Sequence, residues 1–480
     1  MSGVDAVVVG SGPNGLSAAV RLAKAGASVL VLEGREEIGG GARTAALTLP
    51  GYAHDVCSAV HPMGAVSPWF RELPLEQHGL RWLYPKASVA HPLDDGPAVL
   101  LRRSIEETAA GLEVDGRAYR RLLEPYLRDA PGFMKDALAP LGFPSHPLLM
   151  LRFGLTGVRS AEAVAKRFRG ARARALLAGC ASHAILPLDR ALTGAVGMMF
   201  LLTGHVQDWP VAAGGSGAIT GALAGLLRSL GGTIQTGTRV TSAAELPPAR
   251  VYLFDTSPAQ LAAIAGAALP GGYARKLRRY RHGPAAFKLD WALDGSIPWK
   301  DPRCLEASTV HVGGTFEEIA AGEAAVWRGE HPDRPYVLLC QQSEVDRGRA
   351  PEGKHTGWAY CHVPNGSTVD LTPVIERQIE RFAPGFRDRV LARHVTAPAD
   401  FQRNNPNYIG GDISGGVADL SQMFTRPVAR IDPYSTPNPR VFLCSSSTPP
   451  GAGVHGMCGY YAAGSALRRG LGRFVAAPLR

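Results

Sequence analysis

The segment from Val7 to Glu33 most restricts the fold of this chain, because it places a glycine-rich turn between two short hydrophobic runs. The turn carries Gly10, Gly12 and Gly15 in the spacing G-x-G-x-x-G. The β-branched run AVVVG precedes it, and apolar residues at helical spacing follow it. A second hydrophobic run, SVLVLE, then ends in the acidic residue Glu33. The pattern predicts a complete β-α-β unit with buried parallel strands.

Each glycine and the acid have a separate task if this unit binds a dinucleotide. Gly10 permits a tight turn, Gly12 lets the backbone approach a pyrophosphate, and Gly15 lets the helix pack closely on the strand. The start of the helix offers free N–H groups and the positive end of its dipole to the phosphates. Glu33 lies where a carboxylate accepts hydrogen bonds from ribose hydroxyls. The predicted phosphate-binding residues are Gly10, Gly12, Pro13, Asn14 and Gly15.

A second glycine cluster follows the acid in the segment EGREEIGGGART, residues 33–44. It resembles the glutathione-reductase-type FAD fold, in the branch that contains amine oxidases and phytoene desaturases. There the acid is followed by G-G-x-x-R-T, which Gly39, Gly40, Arg43 and Thr44 match here. The resemblance implies that the segment runs beside the pyrophosphate and under the flavin. The residues it assigns to the cofactor are Glu33, Gly34, Arg35, Gly40, Gly41 and Arg43.

Two distant segments support the same resemblance. Residues 214–242 combine a glycine turn, an amphipathic helix and a strand, after which Val240 would meet the adenine through its backbone. Residues 441–467 combine a strand, a Pro-Gly-rich turn and a helix that starts near His455, aimed at the pyrimidine edge of the flavin. Many relatives have an acid after this strand, whereas this chain has Ser446, which brings no charge. The residues assigned here are Ser446, Gly453, Val454 and His455.

The positions of these motifs predict an α/β fold with two domains, which a chain of 480 residues also favours. Residues 1–85, 205–284 and 430–480 are expected to form a Rossmann-like FAD-binding domain. Residues 86–204 and 285–429 are expected to form an inserted α+β substrate domain, with a mixed sheet as floor and a helical cap. The segments at 285–293 and 357–363 are predicted strands of this domain. Within the cap, the apolar runs at 146–157 and 194–202 are expected mainly to pack in the core, with a substrate channel or a membrane surface as alternatives.

Composition restricts the partners and the location of the protein. The net charge is +10, but the densest basic cluster, RKLRRYRH at 275–282, has no nucleic-acid module around it and is expected to be a solvated helix face. The seven cysteines have no C-x-x-C spacing, so we expect reduced thiols and no metal site. The first strand begins close to Met1, so we expect no signal peptide. We therefore expect a cytoplasmic protein with no nucleic-acid partner and, as one option, a peripheral membrane contact.

Three residues are candidates for chemistry. Lys288, in FKLDWALDGSIPW, resembles the amine-oxidase lysine that holds a water near flavin N5, with Trp299 at nearly the family spacing. A lysine at an exposed sheet edge is the alternative. His61 follows the first flavin motif, and His455 begins the helix at the flavin edge, where an imidazole can donate a hydrogen bond or exchange a proton.

These observations predict an FAD-dependent oxidoreductase that transfers hydride from a substrate carbon to flavin N5. We expect noncovalent FAD, because no Cys or His stands in a recognised flavinylation motif. The substrate is expected to be a hydrophobic or extended small molecule, desaturated at a C–C bond or oxidised at a C–N bond. Redox-neutral isomerisation, a binding or assembly role, and a nicotinamide enzyme are the alternatives. The electron acceptor is open between oxygen, a quinone and a carrier.

Overall fold

A computed structural model of the chain describes residues 3–472. Its strands form two main sheets and two short ribbons. In chain order the strands are β1 (Val4–Val9), β2 (Val29–Leu32), β3 (Thr44–Ala45), β4 (His54–Asp55), β5 (Trp82–Leu83), β6 (Ala87–His91), β7 (Val99–Leu101), β8 (Val211–Ala212), β9 (Thr233–Gln235), β10 (Ala249–Phe254), β11 (Ala285–Leu293), β12 (Ala307–Val312), β13 (Val337–Cys340), β14 (His355–Val363), β15 (Val390–Thr396) and β16 (Val441–Leu443).

The α-helices cover the parallel sheet and build a separate cap. In chain order they are α1 (Pro13–Lys24), α2 (Pro62–Ala65), α3 (Pro68–Glu72), α4 (Ile105–Gly111), α5 (Gly116–Leu127), α6 (Ala130–Ala137), α7 (Pro147–Gly157), α8 (Ala161–Ala165), α9 (Ala171–Ala181), α10 (Thr193–Gln207), α11 (Gly217–Ser229), α12 (Pro258–Ile264), α13 (Gly271–Arg278), α14 (Phe316–Trp327), α15 (Thr372–Phe382), α16 (Pro398–Asn404), α17 (Leu420–Met423) and α18 (Met457–Arg469).

The first sheet is parallel and has the strand order β16-β10-β1-β2-β9. Val8 on β1 lies opposite Val31 on β2 and Leu253 on β10, so β1 is paired on both sides. Helices cover this sheet, which explains why β1 reads as a continuous β-branched run rather than an alternating pattern. Its strands come from the beginning, middle and end of the chain, where the dinucleotide motifs were found.

The second sheet has seven strands in the order β15-β11-β14-β13-β12-β6-β7. Its pairs are antiparallel except for β12 with β6, so it is the mixed sheet predicted for the substrate domain. Strand β11 coincides with the predicted strand at 285–293, and β14 contains the one predicted at 357–363. Helices α5 and α7 to α9 pack around α10 to form the cap.

Helices α5 and α6 are separate because the chain turns at Asp129, whose carboxylate accepts the Gly132 N–H and caps α6. One local expectation for the cap is corrected. The apolar run at 146–157 does form α7, but one face of it is not in the core. Leu148, Leu151 and Leu155 are 81%, 59% and 63% exposed. The basic cluster at 275–282 does present most of its charges to solvent, from the end of α13.

Helices α1 and α18 cross very closely, and this contact joins the first and last parts of the chain. A Cβ added at Gly459 on α18 would lie 1.8 Å from the backbone oxygen of Asn14 on α1. The guanidinium of Arg21 lies 3.6 Å from the centroid of the Tyr460 ring in the same contact. Only a glycine at position 459 therefore lets the two helices approach to this distance.

Gly459→Ala should lower the free energy of unfolding by about 1–3 kcal/mol, the usual cost of overpacking a buried contact. Gly221 on α11 is a matched control, because a Cβ there would meet nothing within 4 Å. Gly221→Ala should leave stability unchanged or raise it by about 0.4–1 kcal/mol. Chemical denaturation followed by tryptophan fluorescence measures both changes. Equal effects of the two substitutions would contradict the close crossing.

Candidate active site

One cavity of about 650 Å³ connects the two sheets. At one end it is lined by the residues that follow β1, β2, β10 and β16, where the carboxyl ends of parallel strands meet. At the other end it is lined by α10 and by side chains of β13 and β14. Ligands bind at this edge of open α/β sheets because loops and helix N-termini converge there. The cavity thus joins a dinucleotide-type site to a chamber in the second domain.

The glycine turn after β1 is packed so tightly that side chains are excluded. Gly10 has φ 101°, in the left-handed region that favours glycine. A Cβ on Gly15 would lie 2.1 Å from the Gly10 carbonyl oxygen, and one on Gly12 would lie 2.6 Å from Oδ2 of Asp255. Helix α1 therefore begins directly against the strand end. Its N-cap Gly12 supplies no side-chain hydrogen bond, which leaves the helix N-terminus open to a ligand.

Glu33 is held next to this turn at the end of β2. Its Oε2 accepts hydrogen bonds from the backbone N–H and the hydroxyl of Ser11, at 3.0 and 2.6 Å. Its Oε1 accepts the Arg35 N–H at 2.9 Å. The carboxylate lines the cavity and is only half-buried, so it keeps lone pairs available to ribose hydroxyls.

The second glycine cluster lies against the first. A Cβ on Gly40 would lie 3.0 Å from the Cα of Gly12, so the two glycine segments are in backbone contact. Arg43 does not line the cavity; its Nε donates to the Gly40 carbonyl oxygen at 2.8 Å and so helps to hold the turn. Gly15 does not line the cavity either. The other predicted cofactor residues all line the cavity: Gly10, Gly12, Pro13, Asn14, Glu33, Gly34, Arg35, Gly40, Gly41, Val240, Ser446, Gly453, Val454 and His455.

His455 is fully buried in the wall of the cavity. Its Nδ1 accepts the Met457 N–H at 3.0 Å and so caps the start of α18. The ring proton must therefore sit on Nε2, which is buried and has no hydrogen-bond partner. Burial lowers the pKa of His455 to about 4, although the nearby carbonyls of Ala452 and Gly451 act in the opposite direction. At neutral pH the side chain is an uncharged hydrogen-bond donor rather than a cation.

His61 also lines the cavity. Both ring nitrogens are buried without a hydrogen-bond partner, and the ring lies 5.9 Å from that of Trp82. Burial lowers the pKa of His61 to about 4, so it too is neutral at pH 7. Its backbone N–H donates to the Pro210 carbonyl, which ties the segment after β4 to the start of β8.

Lys288 is neither at an exposed edge nor in the lining of the cavity. It lies on β11 between β15 and β14, is fully buried, and forms an ion pair with Asp290 two residues away on the same face. Its ammonium lies 5.6 Å from the ring centroid of Trp358, which does line the cavity. Trp299 instead donates to Gln341 and is also outside the lining. A water-holding role for Lys288 stays a prediction.

Asp255 is a site residue that the sequence analysis missed. It follows β10 directly, lines the cavity, and accepts the Gly15 N–H at 2.9 Å. Burial raises the pKa of Asp255 to about 7, the Gly15 hydrogen bond opposes this, and the charge of Glu33 adds to it. An acid directly after the hydrophobic run VYLF was the available signal. The sequence did not show that β10 pairs with β1.

Comparison with known proteins agrees with this geometry. The family described as "NAD(P)-binding Rossmann-like domain" matches residues 8–73. Pyridine nucleotide-disulfide oxidoreductase domain-containing protein 2 of Mus musculus is 25% identical over 96% of this chain and 92% of its own length. Phytoene dehydrogenase of Streptomyces griseus is 28% identical over 80% of this chain and 77% of its own. A solved structure of a putrescine oxidase triple mutant aligns with a TM-score of 0.61 at 15% identity, covering 96% and 98% of the two chains.

These similarities support an FAD-dependent oxidoreductase related to the phytoene desaturases and amine oxidases. The predicted fold class and the assignment to FAD-dependent oxidoreductases are confirmed. The cofactor site is a Rossmann-type dinucleotide site.

The pKa of Asp255 leads to a pH-dependent prediction. Between about pH 4 and 7 the unfolded chain loses this proton while the folded chain keeps it, so this group makes stability fall as pH rises through that window. Asp255→Asn should therefore reduce the loss of stability between pH 5 and 8, by about 2–4 kcal/mol at most. Thermal unfolding at the two pH values measures this.

Asp301 provides the matched control, because its pKa is lowered to about 2 by its hydrogen bonds from Arg303. Its contribution is lost only as pH falls below about 4, outside the measured window. Asp301→Asn should lower stability by the same amount at pH 5 and pH 8. If Asp255→Asn behaves in this way too, the Asp255 carboxyl titrates normally in the folded protein.

Proposed function

We propose that this protein binds FAD noncovalently and removes hydride from a carbon of a mainly apolar, uncharged small molecule. The observation that carries the proposal is the cavity in which a dinucleotide-type site opens into an apolar chamber, with His455 in its lining. Bound FAD would supply the two-electron acceptor of the reaction. The residues of the chain bind, orient and shield the reacting groups.

The lining fits each part of FAD. The open N-terminus of α1 and the turn at Gly12 suit the pyrophosphate, and the half-buried Glu33 carboxylate suits a ribose. By resemblance to the family, the backbone at Val240 would meet the adenine and Ser446 the ribityl chain. The Nε2–H of His455 is a buried donor that lacks an acceptor, and a ring carbonyl would satisfy it.

Residues near the ring end favour hydride removal. Helix α18 begins two residues after His455, and a helix N-terminus stabilises negative charge by roughly 0.3–2 kcal/mol. Both features favour a cofactor that has gained electrons. His61 is neutral and unpartnered, so it can accept or donate a proton from the cavity wall.

Noncovalent attachment is supported by the thiol in the cavity lining. Burial raises the pKa of Cys57, so this side chain stays an unreactive thiol at neutral pH. A purified sample should be yellow and should release FAD when the protein is denatured. Flavin that stays with the denatured chain would contradict this part of the proposal, and a colourless protein that takes up no FAD would contradict all of it.

Charge in the lining argues for a neutral substrate over an amine. Within residues 3–472, the acidic side chains that line the cavity are Glu33 and Asp255, and both lie at the glycine turn. The chamber beyond is walled mainly by apolar side chains such as Met199, Phe200 and Leu338. An ammonium group there would lose its hydration without gaining a counter-charge. This favours oxidation at a C–C bond over oxidation at a C–N bond.

Two substitutions separate cofactor binding from redox tuning. Glu33→Ala should raise the Kd for FAD about ten- to hundredfold by removing charge-assisted hydrogen bonds, with little change in the midpoint potential. His455→Ala should leave FAD bound but lower the potential by about 30–60 mV, the equivalent of one hydrogen bond to a charged group. Equilibrium titration of FAD and anaerobic redox titration measure the two quantities. The proposed roles fail if both variants change the same quantity.

The proposal includes a place where an apolar substrate enters. The α7 patch comprises Leu141, Phe143, Leu148, Leu151 and Leu155, which are all between 59% and 92% exposed. Its three leucines on α7 are spaced i, i+3 and i+7 and share one helix face. On the same helix Phe153 lines the cavity, as do Ala137 and Leu138 at the end of α6. The patch and the chamber are thus the outer and inner sides of one thin wall.

We assign the α7 patch to an anionic bilayer. Its leucines form a contiguous apolar stripe, and Arg152 and Arg159 are exposed beside it on a chain of net charge +10. No helix within residues 3–472 is long and apolar enough to cross a membrane, so the contact would be peripheral. An apolar compound dissolved in the bilayer would then reach the chamber without crossing water.

Vesicle sedimentation tests this contact. The protein should bind phosphatidylcholine vesicles that contain phosphatidylglycerol, and Leu148→Ser with Leu151→Ser should weaken binding about tenfold or more. Ile431, which is fully exposed elsewhere, gives the control substitution Ile431→Ser with unchanged binding. Lack of binding by the unmodified protein would contradict the contact. A change in oligomeric state of the double variant would assign the patch to a second copy instead.

A further inference from the structure

A pair of histidines connects the wall of the chamber to the interior of the second domain. His183 lines the cavity in the turn after α9, and its ring stacks on Phe200 with centroids 4.0 Å apart. Its Nε2 lies 3.2 Å from the Nε2 of His311 on β12. His311 is fully buried, whereas His183 is partly exposed in the cavity.

The surrounding backbone is shaped to hold this pair. A Cβ at Gly179 would lie 2.4 Å from Nδ1 of His311, so a glycine on α9 makes room for the ring. Ile185, two residues after His183, has φ 53°, an unusual value for a β-branched residue. Its carbonyl accepts the indole N–H of Trp327 at 3.0 Å, which helps to hold the turn in this conformation. Such conformations persist where the surroundings over-determine them, often at ligand sites.

The unpartnered nitrogen of His311 decides which histidine donates. Only one proton can lie between the two Nε2 atoms, and the Nδ1 of His311 is buried without a partner. A buried N–H without an acceptor is rarer than a buried acceptor without a donor. His311 therefore carries its proton on Nε2 and donates it to His183. It follows that His183 carries its own proton on Nδ1.

The pair stays uncharged at neutral pH. Burial lowers the pKa of His183 to about 3, with the charge of His362 acting in the same direction. Burial also lowers the pKa of His311 well below its usual value, and His183 and His91 add to this. His183 is therefore a neutral donor whose tautomer is set by the partner behind it. The wall of the cavity beside it is formed by apolar side chains, among them Ile185, Val196 and Met199.

We propose that His183 recognises an acceptor oxygen of the substrate through its Nδ1–H, and that His311 is the positioning residue that keeps His183 in this tautomer. The inference rests on the proposed function and refines it. The substrate is then not a plain hydrocarbon but a mainly apolar molecule that carries a carbonyl, hydroxyl or ether oxygen. One hydrogen bond to this oxygen would orient the molecule in a chamber whose other contacts are nondirectional.

Menthone and p-menthane test the recognition on the FAD-loaded full-length protein, because they share a skeleton and differ by one carbonyl oxygen. Quenching of tryptophan fluorescence reports binding, since Trp209 and Trp358 line the cavity. Menthone should bind about three- to tenfold more tightly than p-menthane, the usual contribution of one neutral hydrogen bond. His183→Phe should remove this preference and leave p-menthane binding within about twofold. Phe200→Leu, the control in the same wall, should weaken both probes alike.

His311 is tested through variants that keep or remove its donor. His311→Gln retains an N–H at the end of the side chain and should keep the preference for menthone, whereas His311→Leu should lose it. Nitrogen-15 shifts of labelled histidine should show His183 protonated at Nδ1 in the unmodified protein and in a mixture of tautomers in His311→Leu. A merely structural role for His311 would change stability without changing the tautomer of His183.

The outcomes separate this inference from the proposed function. The recognition role is overturned if the FAD-loaded protein binds neither probe, shows no preference, keeps its preference in His183→Phe, or has His183 protonated at Nε2. Failure to hold FAD would instead overturn the proposed function. Thermal unfolding of each variant, compared with the unmodified protein, identifies any loss of fold.

Discussion

The backbone contact at the glycine turn is the constraint on which the rest of the site depends. Gly15 packs against the Gly10 carbonyl, and Gly459 packs against that of Asn14, so α1 is pressed between β1 and α18 without side chains in between. This contact brings the first and last helices of the Rossmann-like sheet to the same cavity. As a result the open N-terminus of α1 and His455 at the start of α18 face one ligand space. A larger residue at either glycine would separate the phosphate end from the ring end.

Local patterns in the sequence predicted the parts of the fold that local forces determine. The β-branched run of β1, the helical spacing of α1 and the alternating strand β11 depend on neighbours a few residues away. The glycine spacing also predicted the cofactor end of the cavity. A residue without a Cβ permits close backbone contacts wherever it occurs, so this property can be read from the sequence. Exposure was less predictable. Helix α7 is as rich in leucine as a core helix. Only the structure of the cap shows that one face of this helix is exposed.

Side-chain roles that depend on distant pairing could not be read from the sequence. Asp255 becomes a site residue only because β10 lies beside β1 in the sheet. Its hydrogen-bond partner Gly15 is 240 residues away in the sequence. His183 and His311 are 128 residues apart and meet only through the packing of α9 on β12. For Lys288 the sequence suggested a role in the site, because its spacing resembled a family motif. In the structure Lys288 instead forms an ion pair with Asp290, two residues away.

The two ends of the cavity differ in how burial acts on their titratable groups. At the glycine turn, burial raises the pKa of Asp255, which reduces negative charge where phosphates would lie. In the rest of the cavity, burial lowers the pKa of His61, His183 and His455, so these three side chains are neutral at pH 7. Desolvation thus moves the buried carboxyl and the buried imidazoles toward neutrality, while the lining also contains Arg35, Arg239, Arg403 and Arg426. The neutral imidazoles contribute directional hydrogen bonds rather than charge, so they distinguish ligands by the position of an acceptor atom.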